Sequence, residues 1–230
     1  MTTVSIRSSG VRTPTKIFLS HSHHDKELAG TLKDELEGLG CEVFVAHEDI
    51  NPSQDWQEAI LKSLRECDAF IPLLTESFAA SDWTDQETGI AIALRKVIVP
   101  IKIQDDPYGF IGKIQALKWD IDDEELSFKK LVKVLLDKAL LTVEDLILRF
   151  SNSHSYADAT LNSELLESDI DFTKDQINSI VRYATGNGQI AGSYGAVPIL
   201  NRLFSAYSNV IDPKLMLEWR APTYADEEPT

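Results

Sequence analysis

In the first 140 residues, short apolar runs alternate with segments whose apolar residues recur at helical spacing. Runs of five or six residues are typical of buried strands, and helical segments between them are typical of βαβ units with a parallel sheet. Because the runs are apolar throughout, we expect a sheet that is covered on both faces. The predicted strands are 16–20, 42–46, 69–74, 97–101 and a short fifth at 117–119, and the predicted helices are 25–39, 56–67, 83–95 and 127–140.

Cap and turn residues sharpen these bounds. We expect Asp25 to cap the first helix, because short acidic side chains accept hydrogen bonds from free N–H groups at a helix start. Gly40 should end that helix, since glycine accepts the left-handed backbone that follows a last turn. Pro72 lies inside the third predicted strand, although proline cannot donate a ladder hydrogen bond. It is the residue that fits a central strand least well.

Beyond residue 140, the spacing of apolar residues predicts helices and no further strand. One helix surrounds 146–150, and the others span 156–167, a segment that opens at Thr173, and 197–207. Thr173 and Gln176 form a capping-box pattern. We therefore expect a small all-α module at 141–220. Residues 1–15 read as a flexible arm, and the acidic segment 221–230 as a disordered tail.

Charge and composition exclude several classes of function. The formal net charge is −15, which argues against binding to duplex DNA or to an anionic membrane. Two cysteines, Cys41 and Cys67, are too few for a disulfide framework and fit a reducing cytosol. No stretch approaches the roughly 20 consecutive apolar residues of a membrane span. We expect a soluble cytoplasmic protein with neither a nucleic-acid nor a membrane partner.

The loops that follow the strands are the places to look for a site. Parallel sheets bind ligands outside the carboxyl ends of their strands, which here means the loops 20–25, 46–55 and 75–83. No glycine-rich phosphate loop follows the first strand. This argues against nucleotide hydrolysis by a P-loop and against hydride transfer with a bound dinucleotide.

A histidine-rich run in the first loop suggests a different chemistry. His21-Ser22-His23-His24-Asp25-Lys26 approaches the His-x-His-x-Asp-His pattern of metal-dependent hydrolases, but Lys26 stands where the last histidine is needed. Only His47 and His154 remain to complete two metal shells. We therefore predict no metal site and rank a metal-dependent hydrolase a distant third, behind the two functions given at the end of this section.

Four stretches, taken in order, resemble the boxes of a TIR (Toll/interleukin-1 receptor) domain of the bacterial, NAD-consuming type. The resemblance covers roughly residues 15–140. It implies a flavodoxin-like α/β fold with a parallel five-stranded sheet, followed by the all-α module. The stretches are 16–22 at the first strand, 44–52 running into the mobile BB loop, 82–87 with the Trp-x-x-x-Glu motif of the catalytic helix, and 97–101 at the fourth strand.

The resemblance also implies an active site. Glu87 is the catalytic residue by this match, with NAD⁺ as a substrate and no cofactor. Releasing nicotinamide passes through an oxocarbenium-like transition state, which one buried carboxylate near the ribose can stabilise. The residues implied to bind substrate are Ser20, His21, Ser22, Ala46, Glu48, Asp49 and Trp83. By contrast, Trp56 reads as a core anchor of its helix.

The implied function is NAD⁺ cleavage, either by hydrolysis to ADP-ribose or by cyclisation to a cyclic ADP-ribose isomer. Bacterial relatives of this type commonly serve in defence against phage, and they work as homo-oligomers in which the BB loop, here Glu48–Asp55, reaches a neighbour. The alternative is a non-enzymatic adaptor that acts through TIR–TIR assembly. The module at 141–220 is either an oligomerisation, partner-binding or sensor element, or it simply packs against the TIR domain.

Overall fold

The computed structural model describes residues 13–45, 56–167 and 170–219. The predicted BB loop and tail, and all but the end of the predicted arm, lie outside these residues. The chain divides into two compact units, with the boundary between Ala116 and Leu117.

The first unit contains the predicted parallel sheet, with the predicted fourth strand divided in two and the predicted fifth, 117–119, found as a short strand at the start of the second unit. Strand β1 is flanked by β2 on one side and β3 on the other, and β4 and β5 both pair with the far side of β3. This order is the one found in flavodoxin-like sheets, which bind ligands at the carboxyl ends of their strands. The strands are β1 Lys16–Ser20, β2 Glu42–Val45, β3 Ala69–Leu74, β4 Val97–Ile98 and β5 Ile101–Lys102.

The missing N–H group of Pro72 explains the division of the predicted strand 97–101 into two. Leu73 lies opposite Ile101 in the β3–β5 ladder, which places Pro72 opposite Pro100. Val99 donates its backbone N–H to Phe70 of β3, so Pro100, the next residue, faces away from β3. Pro72 is therefore the residue that lacks a donor in this ladder. The neighbouring strand is interrupted at the position where Pro72 has no hydrogen bond to donate. β3 therefore stays central in the sheet, and no N–H group is left without a partner at Pro72.

Four helices accompany this sheet. One cluster of buried side chains joins β1 and β3 to α2 and α4, with Phe18, Leu64, Phe70 and Ala91 among its members. The short helix α3 falls in a segment for which the sequence predicts a loop. The helices are α1 Lys26–Gly38, α2 Trp56–Glu66, α3 Glu76–Ala79 and α4 Asp82–Ala93, and His23–Asp25 forms a 3-10 turn before α1.

The predicted bounds of α1 are confirmed at one end and corrected at the other. Gly40 follows the helix with φ of 79°, a left-handed conformation, as expected. Asp25 does occupy the N-cap position, but its side chain makes no capping hydrogen bond. Its carboxylate instead accepts hydrogen bonds from the hydroxyls of Thr75, which follows β3, and Ser77 in α3, a long-range interaction that a local capping rule does not anticipate.

The second unit begins with the short strand β6 and is otherwise helical. Thr173 and Gln176 form the predicted capping box, in which each side chain accepts a hydrogen bond from the other's backbone N–H. Two short helices, α9 and α11, add to the predicted set. The elements are β6 Leu117–Lys118, α5 Glu124–Asp137, α6 Val143–Ser151, α7 Tyr156–Leu166, α8 Lys174–Gly186, α9 Gly188–Ala191, α10 Ala196–Ala206 and α11 Pro213–Glu218.

Polar side chains, of which Asn162 and Ser153 are buried, hold α6 against α7 in this unit. Arg149 Nε donates a hydrogen bond of 2.7 Å to Asn162 Oδ1, and Asn162 Nδ2 donates to Ser153 Oγ at 3.0 Å. The Arg149 guanidinium also lies 5.3 Å from the centre of the Phe128 ring, which adds a cation–π contact with α5.

The described helices are shorter than a helix that spans a membrane. The longest described helix, α5, has 14 residues, whereas a membrane-spanning helix needs about 20. Among the residues that the structure describes, no helix has both the length and the apolar character to cross a bilayer.

Two glycines of the α1 segment give a matched test of this backbone geometry. Neither Gly30 nor Gly40 has a neighbouring atom within 4 Å of where a Cβ would stand, so an added methyl group changes conformational preference alone. Gly30→Ala, inside the helix, should raise the free energy of unfolding by about 0.5–1 kcal/mol. Gly40→Ala should lower it by about 1–2 kcal/mol, because alanine disfavours positive φ. Urea unfolding of each variant beside the parent chain measures the sign of both changes in the free energy of unfolding. Changes of the same sign would contradict the assigned helix end.

Candidate active site at the carboxyl edge of the sheet

A buried carboxyl group and a buried hydroxyl group meet where β1 ends. The Oγ atom of Ser20, the last residue of β1, donates a hydrogen bond of 2.5 Å to Oε2 of Glu87 on α4. Ser20 is fully buried, and Glu87 exposes only 4% of its surface. Since an ionisable side chain is rarely buried without a charged partner, this pair marks the edge of the sheet as a candidate site. The predicted catalytic residue and one predicted substrate-binding residue are therefore brought together.

The placement of Glu87 follows from the way α4 begins. Thr84 Oγ1 donates hydrogen bonds to the carbonyl oxygens of Phe78 at 2.6 Å and Ser81 at 2.8 Å, which ties the first turn of α4 to α3. Glu87 lies three residues after Thr84 and four before Ala91, and all three are buried. They share one helix face, so Glu87 occupies a position that would ordinarily hold an apolar residue.

A second contact holds the opposite side of α4. Tyr108 Oη donates a hydrogen bond of 2.6 Å to Asp85 Oδ1. Burial, together with the adjacent carboxylate of Asp85, raises the pKa of Tyr108 above its ordinary value. The phenol therefore stays protonated and remains a donor that anchors the helix next to Glu87.

Burial changes the ionisation of Glu87. Loss of hydration raises its pKa from 4.5 to about 7, and the hydrogen bond from Ser20 acts in the opposite direction by favouring the charged form. Near neutral pH the carboxyl is therefore present in both its protonated and its ionised forms. A carboxyl group with this property at the edge of a parallel sheet is a candidate for catalysis.

Two tryptophan rings lie against each other beside this helix. Trp83 stands one turn before Glu87 on α4, and Trp56 is the first residue of α2. Their ring centroids are 4.1 Å apart at an interplanar angle of 67°, an edge-to-face contact. Each residue exposes 38% of its surface, so the pair offers an open aromatic surface. The interpretation of Trp56 as a core anchor was wrong, and its position directly after the loop 46–55 was the signal that could have corrected it.

The remaining predicted substrate-binding residues fall into two groups. His21 and Ser22 directly follow β1 and are both buried. Ser22 Oγ accepts a long hydrogen bond of 3.4 Å from the backbone N–H of His24 and so caps the 3-10 turn. Ala46, Glu48 and Asp49 lie outside the described residues, and their roles stay predictions.

A polar cluster that the sequence did not indicate braces the same edge. Asp25 Oδ2 accepts hydrogen bonds from Thr75 Oγ1 at 2.7 Å and from Ser77 Oγ at 3.0 Å. Thr75 also caps α3, because its Oγ1 accepts from the backbone N–H of Phe78. One carboxylate thus joins the loop after β1, which carries His21 and Ser22, to the loop after β3.

The histidine-rich run does not converge on a point. His21 is buried, whereas His23 and His24 are exposed and their ring centroids lie 6.1 Å apart. Over residues 13–45, 56–167 and 170–219, no three His, Cys, Asp or Glu side chains are grouped as metal ligands.

The comparisons with known proteins bear on this unit. A family model for the TIR domain matches residues 17–132. Over 99 residues, the chain is 25% identical to a protein of Brachypodium distachyon named as a probable 2' cyclic ADP-D-ribose synthase. The match includes 42% of this chain and 44% of that relative, so the chain spans less than half of the relative's length.

Two solved structures show a partial likeness. The TIR domain of a Toll-related receptor from Hydra magnipapillata is 20% identical, with a TM-score of 0.45 over 52% of this chain and 97% of that one. A 2-deoxyribosyltransferase from Leishmania mexicana is 19% identical, with a TM-score of 0.34 over 46% of this chain and 75% of that one.

The extent of the family match decides the classification. Residues 17–132 make up half of the 230 residues and include the five strands of the first unit except Lys16, together with the helix α4 and Glu87. The chain therefore belongs to the TIR domain family.

Proposed function

We propose that this chain cleaves NAD⁺ at the bond between nicotinamide and ribose, with Glu87 as the catalytic carboxylate. The observation that carries the proposal is the buried Ser20–Glu87 pair at the ligand-binding edge of the sheet. Membership of the TIR family and the likeness to a protein named as a cyclic ADP-D-ribose synthase support the choice of substrate.

The chemistry suits a single carboxylate. When the C1′–N bond of NAD⁺ breaks, its electron pair goes to the pyridinium nitrogen, so nicotinamide leaves as a neutral molecule and needs no general acid. Positive charge develops on the ribose as an oxocarbenium-like transition state. An ionised Glu87 stabilises that charge most strongly in a dry environment, where its field is little screened.

The acceptor then decides the product. Water gives ADP-ribose and a proton, whereas attack by a nitrogen or hydroxyl of the same molecule gives a cyclic isomer and a proton. Within this proposal, His21, Ser22, Ala46, Glu48 and Asp49 bind the ribose and phosphates. Assembly through the loop Glu48–Asp55 and a role in defence against phage rest on the resemblance to bacterial relatives.

The Trp56–Trp83 surface suits the flat rings of the substrate. Both indoles are partly exposed and lie edge to face, so the pair offers aromatic surface on which a flat ring can stack. Nicotinamide and adenine are both planar and aromatic. We assign this surface to a base of NAD⁺, next to the helix that carries Glu87.

Replacement of Glu87 tests the catalytic role. Glu87→Gln keeps the shape of the side chain but removes its charge, and we expect a loss of NAD⁺ cleavage of at least about 100-fold. Products are resolved by chromatography and mass after incubation with NAD⁺ at low and high protein concentration. Glu37→Gln, the same change at an exposed position of α1, is the control and should retain activity.

The outcomes separate the two classes of function. Nicotinamide with ADP-ribose indicates a glycohydrolase. Nicotinamide with a product that is lighter than ADP-ribose by one water indicates a cyclase. Equal activity in Glu87→Gln and the parent chain would contradict the catalytic assignment. Absence of cleavage by the parent chain at every concentration, together with concentration-dependent assembly, would favour a TIR adaptor.

The ionisation of Glu87 also predicts how activity depends on pH. If the ionised form stabilises the transition state, kcat should fall as the pH drops below about 7, by about tenfold per pH unit at the steepest. A kcat that stays constant between pH 5 and 8 would show that ionisation of this carboxyl does not matter.

The same ionisation predicts that the stability of the fold depends on pH in the opposite sense to the activity. The folded-state pKa of about 7 lies above the ordinary 4.5, so the folded state holds this proton more tightly than the unfolded state. The resulting stabilisation is fully present below pH 4.5 and is lost as the pH rises through about 7. The pKa difference corresponds to roughly 3 kcal/mol. Urea unfolding should therefore show the parent losing stability relative to Glu87→Gln over this interval, and a constant difference would contradict it.

The aromatic surface is tested by truncation. We expect Trp56→Ala to raise KM for NAD⁺ roughly tenfold, within the range that base stacking contributes. Phe110→Ala is the matched control, since Phe110 is an exposed aromatic residue of the same unit, and it should change KM by less than about twofold. Equal effects of the two variants in steady-state kinetics would remove Trp56 from the substrate site.

A further inference from the structure

We propose that Ser20 is the positioning residue of this site: its hydroxyl holds one oxygen of Glu87 and leaves the other oxygen, Oε1, for the substrate ribose. This inference rests on the proposed function, because it assigns Ser20 a task within that reaction. It also moves Ser20 from the substrate-binding set to the support of the catalytic carboxylate.

The geometry restricts the Ser20 hydroxyl to this role. Serine has one O–H donor, and the structure commits it to Glu87 Oε2 at 2.5 Å. The same hydroxyl therefore cannot donate to a phosphate while this bond persists. Within the described part of the chain, Ser20 is the hydrogen-bond donor to this carboxyl, and Oε1 receives no hydrogen bond from these residues.

The strand makes Ser20 a rigid support. Ser20 ends β1, which is paired with a strand on each side, and it lies opposite Pro72 of β3. Its backbone is fixed by the sheet and its side chain is fully buried, so the hydroxyl has little freedom to turn away. A carboxyl held through one oxygen by a rigid donor loses rotational freedom and presents its other oxygen in one direction.

The hydrogen bond also favours the form of Glu87 that the reaction needs. An ionised carboxylate only accepts hydrogen bonds, and a fixed donor stabilises it relative to the neutral acid. Burial opposes ionisation, and Ser20 is the described group that offsets this effect. Removing the hydroxyl should therefore leave a carboxyl that is both less oriented and harder to ionise.

The test is Ser20→Ala, measured as a pH profile of kcat for NAD⁺ cleavage. We expect the midpoint of the acid limb to rise by about one pH unit or more, which is the effect of losing one hydrogen bond to a charged group. At pH 7, kcat should fall about tenfold, while KM changes less than about threefold because the substrate does not touch the hydroxyl.

A matched control separates positioning from general loss of packing. Ser163→Ala makes the same change at a buried position of α7, where the hydroxyl donates to the backbone carbonyl of Ala159 and not to Glu87. It should lower stability without moving the acid limb. Ser20→Thr, which retains the hydroxyl, should restore the parent midpoint. An unshifted acid limb in folded Ser20→Ala, or an equal shift in Ser163→Ala, would overturn the proposal.

A second measurement does not depend on turnover. Infrared difference spectroscopy of the carboxyl stretch, with Glu87→Gln identifying the band, reports the pKa of Glu87 directly. Ser20→Ala should raise that pKa even in a chain that cleaves no NAD⁺, and an unchanged pKa would overturn the positioning role. If Ser20→Ala does not fold, Ser20→Cys, which has a similar shape and a weaker donor, should shift the titration in the same direction, and no shift would overturn the proposal. This titration can therefore contradict the positioning role of Ser20 independently of whether the chain cleaves NAD⁺.

Discussion

The cost of burying one carboxyl group is the constraint on which the rest of the site depends. Glu87 stands on the core-facing side of α4, where an apolar residue would pack more favourably. A fold selected for stability alone would not retain it there. The neighbouring features make this placement sustainable: the hydroxyl of Ser20 partners the carboxyl, Thr84 ties down the start of the helix, and Tyr108 holds its outer side.

The parallel sheet explains why these groups meet. Strands that run in one direction deliver their last residues to one edge, so Ser20 at the end of β1 lies opposite Pro72 of β3 although 52 residues separate them in sequence. The carboxylate of Asp25 then joins the two loops. The edge that carries the candidate chemistry is thus braced by hydrogen bonds between loops, in addition to the ladders of the sheet.

Local patterns predicted the elements well, and long-range contacts account for what they missed. Apolar runs located the strands, and the Thr173–Gln176 box located a helix start, because these signals depend on neighbours in sequence. The prediction that the Asp25 side chain caps α1 was wrong, because the hydroxyls that this side chain binds lie 50 and 52 residues away. The interpretation of Trp56 failed for the same reason, because its ring is half-exposed and packs against Trp83, 27 residues away. Glu87 could be singled out only through its motif, as periodicity alone cannot tell a buried catalytic carboxyl from a solvated one.

The missing donor at Pro72 has a mechanical consequence. In an uninterrupted ladder, bending between two strands stretches hydrogen bonds, but at Pro72 the absent N–H group leaves one bond fewer to stretch. The ladder on this side of β3 is thereby divided into a lower segment, paired with β4, and an upper segment, paired with β5. Bending between these two segments therefore strains fewer hydrogen bonds than bending within an unbroken ladder.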